Sequence, residues 1–432
     1  MQKVLLPLLI AASTLVTTAL PAYAQPTSHT SAYSNMVTQV MPSESALKRL
    51  TLSTALELAY NANPEIAVAR REVEAIEGTV QQAGLIPNPE IATLIEDSKR
   101  ETRTTTVQIN QVIELGGKRG ARITAAERGR DFALMELSVK QADIRAKVIS
   151  AFYDVLVGQE RYRLAEGSTE LAKRATLIAA RRVMSGKISP VEETRARVAE
   201  SGVRIELAQA ANELESARRQ LAATWGDVTP RFERVEDPEN DLPALASLPE
   251  LTQRLQQSPT LLRAKIEVER RQAMAEVERS RRIPDVTLSF GAKRDEQMGR
   301  NQAIVGLSIP LPVFDRNQGN VLESLRRTDK ARDELLATEV NLNMELGQAH
   351  GRLSTARLEA ELIKTEILPG AQRNYEATTK GFELGKFSFL EVLDAQRTFF
   401  QAKSQYLRSL SETYRAATDI DRLLGEPFSA IK

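Results

Sequence analysis

The chain has 432 residues, no cysteine, and a formal net charge of +1 from 58 Lys+Arg against 57 Asp+Glu. A mean hydropathy of −0.30 excludes a polytopic helical membrane protein, which needs several apolar runs of about 20 residues. The balanced charge offers no basic footprint for nucleic acid, and the missing cysteines remove disulfides, thiolate metal sites, thiol nucleophiles and cysteine-linked lipid anchors.

Lys3 precedes an apolar stretch from Val4 to Ala12, and Pro21-Ala22-Tyr23-Ala24 follows. A basic start, a short apolar core and an A-x-A end predict a secretory signal peptide over 1–24. A membrane anchor helix is the rival reading, but Pro7, Ser13, Thr14, Thr17 and Thr18 interrupt the apolar core. Residues 25–50, rich in Ser, Thr, Pro and Gln, read as an irregular lead-in.

Proline is absent from 90–189, 313–368 and 370–426, spans rich in Ala, Leu, Glu, Arg and Gln. Those are strong helix formers, and proline breaks helix interiors. From about Gly120 to Met184 the sequence predicts one helix approaching 100 Å in length. Ala126, Ala133, Leu137, Ile144, Val148, Phe152 and Val155 recur at three-, four- or seven-residue steps, and Leu393, Phe400, Leu407 and Tyr414 step by seven. Such repeats favour helix-on-helix coiling. They also suit an ordinary long helical bundle.

Two-residue alternation appears in four places, which predicts strands over about 89–99, 104–114, 284–294 and 301–311. Each is close to the 9–11 residues that cross an outer membrane at a tilt. A soluble sheet packed on the helices has the same pattern.

The landmarks occur twice. Asn63-Pro64 and Pro89-Glu90-Ile91 have counterparts in Ser258-Pro259 and Pro284-Asp285-Val286, offset by 195. Gly186-Lys187-Ile188-Ser189 and Trp225-Gly226 have counterparts in Gly385-Lys386-Phe387-Ser388 and Leu424-Gly425, offset by 199. The chain therefore reads as two copies, 51–226 and 250–426, of helix–strand–strand–long helix–helix. A proline-rich linker over 227–249 joins them, and 427–432 form a tail. Four membrane strands leave two open edges, which cannot persist in hydrocarbon. The chain must oligomerise if the strands lie in a membrane.

Several runs carry a family resemblance. They are Leu52-Ser-Thr-Ala-Leu-Glu-Leu-Ala59 with Asn63-Pro64, Glu114-Leu-Gly-Gly-Lys-Arg119, Ile309-Pro-Leu-Pro-Val-Phe-Asp-Arg-Asn-Gln-Gly319, and Leu384-Gly-Lys-Phe-Ser388 with Glu391-Val-Leu-Asp-Ala-Gln396. Over about residues 50–426 the chain resembles the TolC family of outer-membrane efflux channels, and within it the CzcC-type branch that serves heavy-metal exporters. The resemblance implies a mainly α fold with a small transmembrane β part. It implies a homotrimer with a 12-stranded β-barrel in outer-membrane lipid and a 12-helix periplasmic α-barrel. The partners implied are a periplasmic adaptor and an inner-membrane, proton-driven pump of the RND type.

The sites follow from both sources. Gly186 and Gly385 stand where a glycine ends a long helix, and Ser189 and Ser388 stand where a serine caps the next one. Tight helix hairpins alone explain them. The resemblance adds that Gly186, Lys187, Ser189, Gly385, Lys386 and Ser388 form tips that meet the adaptor. Glu391 and Asp394 are spaced i, i+3 on one helix face. Acids in a first helical turn are commonly solvated and favoured by the dipole, but the resemblance places these two at the narrowest point of the pore. There a ring of carboxylates favours cations.

Arginine pairs such as Arg181-Arg182 and Arg270-Arg271 read as solvating residues and partners for the many glutamates. His350 reads as structural. No nucleophile–base pair, phosphate loop or metal-ligand spacing appears, so no catalytic residue, cofactor or resident metal is expected, and the chain reads as a non-enzymatic conduit. The same fold could serve drug efflux or type I secretion, and a periplasmic coiled-coil scaffold or adaptor is the reading from another class.

Overall fold

The computed structural model describes residues 49–236, 242–384, 386–387 and 389–425. The expected signal peptide, nearly all of the lead-in, the 427–432 tail, Gly385 and Ser388 lie outside the described residues.

A short strand, β1 (Arg49–Leu50), leads into helices α1 (Leu52–Ala62) and α2 (Pro64–Ala83). Strands β2 (Glu90–Glu96) and β3 (Thr104–Ile113) follow, then α3 (Lys118–Met184) and α4 (Pro190–Ala223). After β4 (Arg234–Val235) the succession recurs as α5 (Leu248–Leu255), α6 (Pro259–Ser280), β5 (Val286–Asp295), β6 (Arg300–Ser308), α7 (Gln318–Leu362), α8 (Leu368–Glu383) and α9 (Phe389–Leu424). The stretch expected to be a linker thus carries β4, which pairs in parallel with β1.

The 67 residues of α3 span about 100 Å. Its counterpart is divided. Between α7 and α8 lies a π-helical turn, Ile363–Ile367, in which the Leu368 N–H donates to the Ile363 carbonyl. Pro369 sits just beyond it, at the start of α8. A proline ring clashes with the carbonyl four residues back and supplies no donor. The widened turn keeps the helix running past it.

The duplicated landmarks meet in pairs. Asn63 caps α2 by accepting from the Ile66 N–H at 3.0 Å, and its Nδ2 donates to the Thr224 carbonyl at 2.7 Å. Gly226, at φ +84°, packs on the Pro64 ring. The end of α4 is thereby joined to the start of α2. In the second repeat Ser258 caps α6 and Gly425, at φ +77°, lies against the Pro259 ring, joining α9 to α6.

Two cores hold this level of the molecule. One gathers Leu56, Ile66, Val148, Phe152 and Leu221, with Tyr153 stacked on Tyr414 at 3.9 Å between centroids. The other gathers Leu255, Leu261, Leu346, Leu353 and Ile420. In α7, Leu342, Leu346, Ala349, Leu353, Ala356 and Ala360 are all buried and step alternately by four and three. In α9 the buried seven-residue line is Ala395, Ala402, Ser409, Ala416 and Leu423. The expected line at 393, 400, 407 and 414 lies beside it: Leu407 is buried, while Leu393, Phe400 and Tyr414 are half-buried. Small residues let the axes approach, so the bulky ones are pushed to the flanks of the seam.

The four longer strands form one antiparallel sheet in the order β2-β3-β5-β6. Ile91, Ile109, Phe290 and Val305 form a row across it, with Ile113, Leu288 and Leu307 on the same face. The opposite face carries Glu96, Thr104, Asp295 and Arg300 in one row and Leu94, Thr106, Lys293 and Gln302 in another. β2 stops at Glu96, short of the expected 99, because Asp97 takes a left-handed conformation (φ +67°) and accepts from Lys99 N–H and Thr102 Oγ1 to start the turn. β6 stops at Ser308, short of the expected 311, because β5 begins at Val286 and Pro310 offers no donor.

Candidate functional site

The recognised motifs lie where the sheet meets the helices and where the long helices turn back. At the first place the Glu114–Arg119 run has a defined job. The Asp285 carboxylate accepts from the Leu115 N–H at 3.1 Å and from Lys118 Nζ at 2.6 Å, which ties the first repeat to the start of β5. Glu114 accepts from both terminal guanidinium nitrogens of Arg122, Nη1 and Nη2, and this hydrogen bonding is the first cause raising the Arg122 pKa. Arg119 Nε donates to the Gly84 carbonyl at 2.7 Å. Gly116 and Gly117 both have positive φ (+71° and +72°), and Gly117 stands at the N-cap of α3. In the second repeat Asn317, at φ +57°, holds the N-cap of α7 and donates through Nδ2 to the Glu278 carbonyl and carboxylate, each at 2.8 Å. Asparagine tolerates the left-handed region because its short polar side chain bonds locally.

At the far end, α3 closes with the paired bonds of a Schellman turn. Gly186 N–H donates to Val183 O and Lys187 N–H to Arg182 O, each at 2.9 Å, with Gly186 at φ +67°. Ser189 then caps α4 by accepting from the Val191 N–H at 3.3 Å, with Pro190 in the first turn. The second hairpin repeats one of these bonds, from Lys386 N–H to Gly381 O at 2.8 Å.

Two contacts at the tips escaped the sequence reading. The Phe387 ring packs where a side chain on Gly381 would stand. Arg182, expected only to solvate or pair with glutamate, lies 5.4 Å above the centroid of the Phe382 ring, a cation–π contact between the two hairpins. The sequence places a basic pair and an aromatic before corresponding turns, but the neighbour relation of α3 and α8 is tertiary.

Glu391 and Asp394 are both exposed on α9, while Val392 and Ala395 beside them are buried. Asp394 also lines a groove of about 1020 Å³ between α4 and α9, with Arg195, Glu206, Arg397 and Phe400. Other arginine pairs behave as expected: Arg270 and Arg271 both bind Glu267 at 2.6–2.9 Å. His350 Nε2 lies 3.1 Å from the Ala246 carbonyl, a structural tie to the inter-repeat segment. Among the described residues no cluster of three or more His, Cys, Asp or Glu could hold a metal ion.

A sheet mainly apolar on one face and mainly polar on the other, with Leu94 and Ile304 as exceptions, continued by helices of about 100 Å, is the build of a strand-and-helix channel protein. The chain belongs to the outer membrane efflux protein family, which it matches over residues 55–227 and 251–426. It is 50% identical to the cobalt-zinc-cadmium resistance protein CzcC of Cupriavidus metallidurans, over 89% of this chain and 92% of CzcC. It is 26% identical to the nickel-cobalt-cadmium resistance protein NccC of Alcaligenes xylosoxydans xylosoxydans, over 72% and 68% of the two chains. Its fold is that of the CmeC outer membrane channel of Campylobacter jejuni (TM-score 0.74, 15% identity, 87% and 85% covered) and of CusC (TM-score 0.71, 15% identity, 90% and 95% covered). The expected mainly α fold, its small membrane β part and the TolC-like, CzcC-type assignment all hold.

Proposed function

We propose that this protein is the passive outer-membrane conduit of a tripartite, proton-driven efflux system for divalent heavy-metal cations. The observation that carries the reading is the 50% identity, across nearly the whole of both chains, to a protein named for cobalt, zinc and cadmium resistance. Relatives named for other cargo, such as the pyoverdine export protein OpmQ of Pseudomonas aeruginosa at 23% identity, stand much further off.

In this reading three copies close the sheet into a 12-stranded barrel and the helices into a 12-helix tunnel. The tips around Gly186, Lys187, Ser189, Gly385, Lys386 and Ser388 dock on the periplasmic adaptor, which couples the channel to the inner-membrane pump. Glu391 and Asp394 face the pore, where six carboxylates per trimer raise the local concentration of cations. A conduit needs weak sites for exit, so selection among metals belongs to the pump. The signal peptide of 1–24 delivers the chain, and the barrel anchors it. The test is a deletion strain scored for growth on cobalt, zinc, cadmium, nickel and copper. Sensitivity to divalent metals supports the assignment; sensitivity confined to organic drugs rejects it.

A further inference from the structure

Near the second turn α9 carries its charges in a regular order. Glu391, Asp394 and Arg397 follow at steps of three and are all exposed, whereas Val392, Ala395 and Gln396 between them are buried. A step of three keeps side chains on one helix face and advances about 4.5 Å along the axis. With distance from the tip, the exposed face therefore reads acid, acid, base. Asp394 and Arg397 both line the groove between α4 and α9, with Arg195 and Glu206 on the α4 side. The neutral Gln401 comes next on the exposed face and lines the same groove.

Arg397 differs from the neighbouring cations. Arg195 pairs with Glu192 at 2.9 Å and Lys403 with Glu160 at 3.3 Å. Further along α9, Arg415 is engaged by Asp154, and Arg422 by Asp143 and Glu345. Among the described residues neither Arg397 nor Asp394 enters an ion pair, although only one turn separates them. Both charges therefore remain open to the groove.

We infer that Arg397 is a specificity-determining residue of the aperture, which sets how weakly the acids there hold a divalent cation. The inference rests on the reading above, in which Glu391 and Asp394 of three copies face the pore. Six carboxylates in a narrow ring hold a divalent cation, and a held ion blocks those behind it. A conduit needs binding favourable enough for entry but weak enough for exit. Three guanidinium groups, one turn deeper, offset half of the ring's charge by repelling the ion. Side chains at this spacing stand about 5–6 Å apart. Across that distance in water, one guanidinium weakens the hold on a divalent cation about tenfold.

The test is single-channel recording in planar bilayers, in potassium chloride, with cadmium chloride added on the side of the tips. The concentration that halves the current is read for wild type, Arg397→Gln, Arg397→Lys and the neutral pair Glu391→Gln with Asp394→Asn. Arg397→Gln should be blocked at a roughly tenfold lower concentration. Arg397→Lys, which keeps the charge, should stay near wild type. Added to the neutral pair, Arg397→Gln should leave the block unchanged. Equal block in wild type and Arg397→Gln, with relief in the neutral pair, overturns the role of Arg397 and keeps the acid ring. Equal shifts in Arg397→Gln and Arg397→Lys trace the effect to shape and overturn that role too. Block indifferent to the neutral pair overturns the reading on which the inference rests.

Discussion

Gly116 and Gly117 offer a controlled comparison, since they are adjacent and nearly equal in φ but differ in surroundings. A Cβ on Gly117 would meet nothing within 4 Å, so Gly117→Ala carries only the left-handed penalty, about 1–2 kcal/mol. A Cβ on Gly116 would lie 2.8 Å from Ile283 Cβ and 3.0 Å from the Ser280 carbonyl oxygen. Carbon pairs prefer about 3.5–4.0 Å, so the turn between α6 and β5 must shift, at a further cost of about 1–3 kcal/mol. Gly116→Ala should therefore cost about 2–5 kcal/mol in all. Gly117→Asn should cost less than Gly117→Ala, because Asn317 already holds that conformation at the matching cap. Heat unfolding of the detergent-solubilised protein, followed by circular dichroism at one scan rate, gives the order of midpoints. Equal losses for the two alanine variants would refute the steric argument, and a Gly117→Asn midpoint below that of Gly117→Ala would refute the conformational one.

Combining Glu391→Gln with Asp394→Asn should lower cation over anion selectivity in planar bilayers; unchanged selectivity would place the filter elsewhere. Lys140, and next Lys147, hold the Glu65 carboxyl below the ordinary carboxylate value. A depressed folded pKa contributes stability above the unfolded value and loses it as pH falls through the folded one. The midpoint gap between wild type and Glu65→Gln, small because the group is half exposed, should thus be present at pH 7 and vanish in acid; a gap that persists below both values refutes the pairing. Asp421→Asn should destabilise by about 1–3 kcal/mol, since it leaves Arg145, a residue 4% exposed whose guanidinium lies 3.1 Å away, beside a neutral group. Part of that loss should return when Arg145→Leu is added, and an unchanged midpoint for the single variant would show the pair to be idle.

The elements most legible in the sequence are those set by local chemistry. Proline-free runs of helix formers marked the long helices, and alternation marked the strands, because backbone sterics and one-sided burial act over neighbouring residues. The cap at Ser189 was equally local. Gly116 stood inside a recognised motif, yet its need for a bare Cα depends on Ile283, which lies 167 positions away in the chain. The packing line of α9 lies two positions from the line of large apolar residues, because close helix approach selects alanine and serine.

By itself the sequence determined the duplicated unit, the class of the long helices and of the four longer strands, and the membership in an efflux family, all of which rest on short-range pattern or direct likeness. Only the tertiary structure decided which repeated landmarks meet. It joined Asn63 to Thr224, laid Arg182 over Phe382 and left β2 and β6 as the bare edges. Such relations depend on how separated segments share space, and a one-dimensional pattern carries the capacity for each contact but not the choice of partner.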